Sequence, residues 1–285
     1  MAGKQRIWLV VNDASGSNDS QAHEHLEECC RRAGLRVERT IRFPEEDLPT
    51  PAALDHAGIA LVAVFAGDGT VNALVMALSD WSGAVLVLPG GTMNLFYHRL
   101  NGDREMEEVV RLAARGEASR VRRGVIASCH GTALADLLAG PGTAWYHVRE
   151  AMREADVLGV ADQAAQAIGE TLATPGIVCR DPALGLAEGY PLVMLSPVAG
   201  GIEVSGFHAE TPGEVIKGSW ALLRRRFREG PHDDLGTVEK IMLASTEDEP
   251  FGLLIDGERA EAAGEEEFRL VPCAVDLLAT ERDGR

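Results

Sequence analysis

The sequence predicts an α/β fold: an N-terminal α/β domain built on a parallel sheet, then a β-rich, β-sandwich-like domain, with a cleft between them. Three observations predict it. Up to about residue 120, short apolar runs alternate with polar amphipathic stretches, the pattern of βαβ units. Two of those runs, Ile59 to Ala66 and Ala84 to Pro89, are apolar throughout, as strands covered on both faces are. After Arg123 the rhythm is lost, and isolated β-like runs mix with longer helical stretches. The domains are therefore expected at 1–122 and 123–285, with the last strand free to return to the first sheet.

The elements come in order. Ile7 to Val11 reads as the first strand and Asn12 to Ser20 as a polar, glycine-containing turn. In Gln21 to Ala33, Leu26, Cys29, Cys30 and Ala33 recur at helical spacing, and Gly34 closes the helix. Val37 to Ile41, Ile59 to Phe65 and Val85 to Leu88 are the next strands, with a helix over Val71 to Leu78 between the last two. Glu105 to Arg115 is an amphipathic helix stopped by Gly116. In the second part, helices are expected over Tyr146 to Leu158 and Asp162 to Leu172. Strands are expected over Pro191 to Ser196, Ile202 to Gly206, Glu239 to Ala244, Gly252 to Ile255 and Phe268 to Leu278. No internal repeat interrupts this order.

Composition narrows the function. The 285 residues carry 27 basic and 44 acidic side chains, a formal charge of −17. That excess argues against nucleic acid as a partner, because phosphate-backbone binding rests on clustered positive charge, and against simple docking on anionic lipid. No apolar run approaches the roughly 18 residues that span a bilayer, so no transmembrane segment is expected. Ile7 to Val11 leads into Asn12-Asp13 rather than a small-residue cleavage site, so a cytoplasmic chain without a secretory signal is expected. The five cysteines, Cys29, Cys30, Cys129, Cys179 and Cys273, form no CxxC pair and read as reduced, buried thiols. His130, His147, His208 and His232 show no metal spacing.

Chemistry concentrates in two glycine-rich turns, each directly after a predicted buried strand. They are Ala66-Gly67-Asp68-Gly69-Thr70-Val71-Asn72 and Pro89-Gly90-Gly91-Thr92-Met93-Asn94. In open α/β sheets, ligands bind outside the carboxyl ends of the strands, where these turns sit. Glycine lets backbone N–H groups approach an anion, the following helix start adds partial positive charge, and Thr70 and Thr92 supply hydroxyls. A single such turn is equally explained as a capped strand-to-helix connection. Two with matching Gly-Thr steps, 22 residues apart from Gly69 to Gly91, point to one phosphate site. There is no Walker lysine and no GxGxxG fingerprint.

These residues resemble the diacylglycerol kinase catalytic family, which includes bacterial lipid kinases and sphingosine kinases. The resemblance rests on Gly67 to Asn72, on Pro89 to Phe96, on Asn12-Asp13-Ala14-Ser15-Gly16 after the first strand, and on the late Asp256-Gly257-Glu258. It implies a nucleotide domain followed by a lipid-acceptor domain, with MgATP phosphorylating a hydroxyl of a diacylglycerol-like or long-chain lipid in phospholipid metabolism. By the same resemblance, nucleotide contacts fall on Asn12, Ser15, Gly16, Thr40, Gly67, Asp68, Gly69, Thr70, Asn72, Gly91, Thr92 and Asn94. Glu258 corresponds to the proton acceptor, and Asp68 and Asp256 to groups that organise magnesium and the reacting hydroxyl. The implied partner is a lipid met peripherally at a membrane surface, such as the inner membrane face, and a homodimer is left open. Glu258 without the upstream motifs would read as a solvated residue after an Asp-Gly hairpin turn.

Several positions depart from the family pattern. Ala66 replaces a glycine, at about 1–2 kcal/mol if positive φ is required there. Asp13 replaces a proline, Leu95 an aspartate, and Val121-Arg122-Arg123 occupies a stretch that is often acidic. These departures motivate a second reading, a nucleotide- or lipid-binding regulatory protein without catalysis. A nicotinamide-nucleotide-kinase-like enzyme ranks third, since Asn94-Leu95-Phe96 lacks the Gly-Phe element of that group. Two basic clusters, Arg120 with Arg122 and Arg123, and Arg224 to Arg226 with Arg228, read either as solvated charges or as anchors for phosphate or anionic headgroups.

Overall fold

The computed structural model describes residues 5–13, 20–144, 176–208 and 232–281. The helices expected over 146–158 and 162–172, His147, the Arg224 to Arg228 cluster, Ser15 and Gly16 lie outside the described residues. The chain divides into two compact units, residues 1–123 with 272–285, and residues 124–271.

The first unit runs β1 (Gln5–Val11), α1 (Ser20–Ala33), β2 (Leu35–Arg42), α2 (Pro51–Ala57), β3 (Leu61–Ala66), α3 (Asp68–Ala77), β4 (Ala84–Pro89), α4 (Leu95–Asn101), α5 (Met106–Ala114) and β5 (Ser119–Val121). The second runs β6 (Gly124–Ser128), β7 (Gly131–Ala133), β8 (Leu137–Ala139), β9 (Ile177–Asp181), β10 (Ala183–Leu184), β11 (Leu192–Val198), β12 (Gly201–Phe207), β13 (His232–Val238), β14 (Lys240–Ser245), β15 (Phe251–Ile255), β16 (Glu258–Ala262) and β17 (Glu265–Pro272). The chain then re-enters the first unit as β18 (Asp276–Ala279).

The first sheet has the order β2-β1-β3-β4-β18-β5, parallel except for the β18–β5 pair. All six residues of β3 are buried, as are five of the six in β4, which explains their unbroken apolar character. From β1 the chain steps outward to β2, then crosses to the other side of β1 to form β3. The strand order therefore reverses between β1 and β3, and the carboxyl ends of an open sheet part at such a switch point. Helix α2 is spelled out locally: the Thr50 hydroxyl accepts from Ala53 N, Pro51 stands at the first helical position, and Gly58 closes in left-handed geometry.

In the second unit, two six-stranded sheets, β10-β9-β14-β17-β6-β7 and β13-β12-β11-β8-β15-β16, share one core. Ile126, Ile241, Leu243 and Phe268 enter it from one sheet, and Leu137, Val193, Ile202 and Leu253 from the other. This is the β-rich, sandwich-like part expected. One expectation is corrected: Phe268 to Leu278 is not one strand but parts of β17 and β18, which belong to different sheets. Pro272 lacks the N–H needed to extend the ladder, and the Cys273 N–H turns to the Arg123 carbonyl, 2.9 Å away.

Candidate functional site

The carboxyl ends of β1, β3 and β4 lie level, since Val11 pairs with Phe65 and Ala66 with Pro89. The segments that leave these three strands are thereby gathered at one end of the sheet. Asn12, just beyond β1, donates from Nδ2 to the Thr70 hydroxyl oxygen at 2.8 Å, bridging the switch point. The two glycine turns meet backbone to backbone: a Cβ added to Gly91 would lie 2.5 Å from Gly67 Cα. They form one cluster, as their sequence expected.

Two side chains hold that cluster. Asn94 adopts a left-handed conformation, φ 52° and ψ 40°, which asparagine tolerates better than most residues. It brackets Gly91, with Oδ1 accepting from Gly91 N at 2.7 Å and Nδ2 donating to Gly91 O at 2.8 Å. Asp68, in the first turn of α3, reaches across to α4 and accepts from Leu95 N at 3.1 Å and Phe96 N at 3.0 Å. A carboxylate at a helix start is favoured by the exposed N–H groups and the helix dipole. Burial pushes the Asp68 carboxyl above its usual range, while the Phe96 and Leu95 amides and His98 pull it down. Each Asp68 oxygen accepts one of these bonds, and the residue's own N–H also favours the carboxylate.

No side chain caps the start of α3, whose N-cap is Gly67 in extended geometry. This end of the sheet therefore combines a helix start uncapped by a side chain, two abutting glycine turns, a buried Thr70 and the exposed Thr92, a donor set that fits a phosphate chain. Asn72 comes next within α3, half-buried. Thr40 is not gathered with them: it pairs with Leu9, two residues short of the end of β2, on the far side of β1 from β3.

The departures find local explanations. Ala66 ends β3, 2% exposed, and is not among the residues with positive φ, so its methyl group carries no left-handed strain. Asp13 pairs with Arg42 at the end of the neighbouring strand, an ionic link in place of a proline turn. Arg120 and Arg122 both pair with Asp276, which stands beside Ala84 at the opposite, amino-terminal end of β4. Pro89 lies five positions along the strand from Ala84, about 16 Å at roughly 3.3 Å per residue. The reading of Arg120 and Arg122 as phosphate anchors is thereby corrected. Arg123 is buried and donates to the Glu281 carbonyl at 2.7 Å.

In the second unit, Asp256 and Gly257 form the two-residue loop of the β15–β16 hairpin, with Ile255 opposite Glu258. Both have positive φ, 50° and 90°, the pairing that Asp-Gly supplies in a tight hairpin. The Asp256 carboxylate accepts from Leu134 N at 2.7 Å, Ala135 N at 2.8 Å and Asp136 N at 3.3 Å. Three of its four lone-pair directions thus fix the hairpin to the 134–136 segment, leaving at most one for an ion. Glu258 stands exposed at the start of β16. Sequence reasoning does not single out Asp136, which accepts the Asp256 N–H on its carbonyl at 3.1 Å and the Ser196 hydroxyl on its carboxylate at 2.5 Å. Nothing in Leu134-Ala135-Asp136-Leu137 marks it; only the fold puts it beside the turn.

The thiols need one correction. Four are buried as expected, with burial pushing Cys30 up to about 12 and Cys179 up to about 11. Cys129 is exposed, at the tip of the β6–β7 hairpin.

Residues 6–126 match the model of the diacylglycerol kinase catalytic domain. Two solved structures from Bacillus anthracis str. Sterne share the fold. One, described as a diacylglycerol kinase, is 14% identical with a TM-score of 0.59, covering 98% of each chain. The other, described as a candidate diacylglycerol kinase, is 15% identical with a TM-score of 0.61, covering 100% of this chain and 98% of its own. No curated protein matches the chain. The resemblance read from the glycine turns is borne out over residues 6–126, a stretch that does not reach Asp256-Gly257-Glu258, and the family match supports a kinase-type function. Among the described residues, no helix is long and apolar enough to cross a membrane.

Proposed function

We propose, on the premise that residues 6–126 form a diacylglycerol kinase catalytic domain, that this protein transfers the terminal phosphoryl group of ATP to a hydroxyl of a diacylglycerol-like or long-chain lipid. The observation that carries the nucleotide half is the meeting of Gly67 and Gly91 at the switch point, joined there by Asn12 and Thr70. The start of α3, uncapped by a side chain, and the hydroxyls gathered beside the turns bind and orient the phosphates, as catalysis of phosphoryl transfer by positioning and electrostatics requires. Magnesium, when bound, offsets the triphosphate charge. Asp68 would hold it through a water, and Asp256 acts mainly by fixing the turn that carries Glu258.

Glu258 takes the proton of the acceptor hydroxyl as that oxygen bonds to the γ-phosphorus and the bond to ADP breaks. An exposed carboxylate at the head of a tight hairpin suits this role, because it is open to an acceptor and held by the paired strands. Two of the three departures behind the non-catalytic reading have a local explanation, since Ala66 is unstrained strand and Arg122 is paired with Asp276; Leu95 has none, and the transfer assay below decides between the readings. The acceptor is a lipid met at a membrane surface.

The test uses purified protein, labelled ATP, magnesium and a lipid panel. Glu258→Gln should lower transfer by about 10²–10⁴-fold, the usual worth of a general base, with nucleotide affinity unchanged. Transfer to no lipid, or a Glu258→Gln variant as active as the parent, rejects this assignment.

A further inference from the structure

We propose that Cys129, His130 and Glu266 form a binding site for a divalent transition cation of zinc type, in the second unit and independent of the phosphoryl-transfer reading. Ser128 pairs with Gly131, so Cys129 and His130 are the two loop residues of the β6–β7 hairpin. Glu266 belongs to β17, the strand beside β6 in the same sheet. The fold thus brings a thiol, an imidazole and a carboxylate to one point, although 137 positions separate Cys129 from Glu266.

The spacing suits one ion. Cys129 Sγ lies 3.1 Å and His130 Nε2 3.6 Å from the same oxygen, Glu266 Oε2, and the three ligand atoms all lie within 4.8 Å of one another. Around a tetrahedral zinc, with bonds of about 2.3 Å to sulfur and about 2.0–2.2 Å to nitrogen and oxygen, ligand atoms stand about 3.4–3.6 Å apart. Small side-chain rotations close the difference. A sulfur, nitrogen and oxygen set selects zinc-like ions over magnesium or calcium, which take oxygen.

The burial of Glu266 gives the site its driving force. Its side chain is 8% exposed, and Oε1 accepts the Cys129 N–H at 2.8 Å, a bond that leaves Oε2 facing the thiol and imidazole but brings no positive charge. Among the described residues, the one basic group within ion-pairing distance is His130, at 3.6 Å. The adjacent Glu267, by contrast, has both Lys240 and Arg269. A divalent cation supplies the missing charge, and Cys129 releases its thiol proton to solvent on binding it. Three protein ligands leave a fourth tetrahedral position for water, the arrangement of an open rather than a closed zinc site. A cavity of about 570 Å³, lined by Ser128, Cys129, Glu266, Arg269 and Val271 among others, adjoins it.

A second trio, His25, Cys29 and Glu107, has similar spacing, but His25 and Glu107 are each more than half exposed, so it holds no buried carboxylate. It serves as the internal comparison. The full chain, reduced with a non-thiol reagent, is titrated with Co²⁺ as a spectroscopic stand-in for Zn²⁺. The expected result is one ion per chain with thiolate-to-cobalt charge-transfer and tetrahedral d–d absorption, displaced by zinc. Cys129→Ser should abolish the charge-transfer band, His130→Ala should weaken binding at least tenfold, and Cys29→Ser should change nothing. Glu266→Gln should also weaken binding, but the exposed hairpin variants carry the test if that buried change disturbs folding. Absence of the band, its survival in Cys129→Ser, or its loss in Cys29→Ser overturns the proposal.

Discussion

Two glycines abut in the proposed nucleotide site, which makes Gly91→Ala its sharpest probe. The added methyl would sit 2.5 Å from Gly67 Cα, 3.2 Å from Gly67 N and 3.2 Å from Asn94 Oδ1. Carbon atoms in contact stand about 3.5–4.0 Å apart, so the turns must separate by about 1 Å or the strands beneath them must shift. The neighbour is backbone and cannot rotate away. Overpacking of this kind costs about 1–3 kcal/mol. At about 2–4 °C per kcal/mol for a unit of this size, the melting temperature should fall by roughly 2–12 °C. Separation also withdraws at least one charge-assisted phosphate hydrogen bond, worth about 1.5–3 kcal/mol, so ATP affinity should drop about 10–100-fold by calorimetry. Met76→Ala, on the exposed face of α3, is the control and should stay within about 0.5 kcal/mol of the parent. A Gly91→Ala protein that melts like the parent would refute the contact, and one that melts lower yet binds ATP normally would refute the phosphate site there.

Two further expectations test the electrostatics. Because burial raises the Asp68 carboxyl above its ordinary value of 3.8, the folded state holds that proton more tightly than the unfolded chain. The associated stability is fully present below about pH 3.8 and is lost as pH rises through the folded value. Thermal melts from acid to neutral pH should therefore show the parent losing stability relative to Asp68→Asn as pH rises, and parallel curves would contradict that sign. Thiol titration with a disulfide reagent should modify Cys129 alone in the native chain, with Cys29, Cys30, Cys179 and Cys273 reacting only on unfolding. Native reaction of more than one thiol per chain would contradict the burial of the other four.

The legible part of the sequence was its local part. Strands β3 and β4 read clearly because both faces are covered and no polar residue interrupts them. The glycine turns read clearly because each lies within a few residues of its strand. Helix α2 was equally local, with Thr50, Pro51 and Gly58 marking both ends, and it went unread because its seven residues bury only Leu54. Phe268 to Leu278 misled for the opposite reason: apolar continuity outweighed Pro272, the residue at which the chain leaves one sheet for another.

The site divides along the same line. The resemblance implies metal roles for Asp68 and Asp256, yet in the fold both accept backbone N–H groups 27 and 28, or 120 to 122, positions away. A carboxylate has about four lone-pair directions, and how many remain for an ion depends on partners that no local pattern reveals. By that count both are largely committed, Asp68 to Leu95, Phe96 and its own N–H and Asp256 to three N–H groups of the 134–136 segment, which makes Asp256 chiefly the fastening of the Glu258 turn. The same reasoning explains Glu266, whose charge draws on Cys129 and His130 from a distant hairpin. Residue type set the chemistry each group is capable of, and long-range pairing decided how much of it stays available.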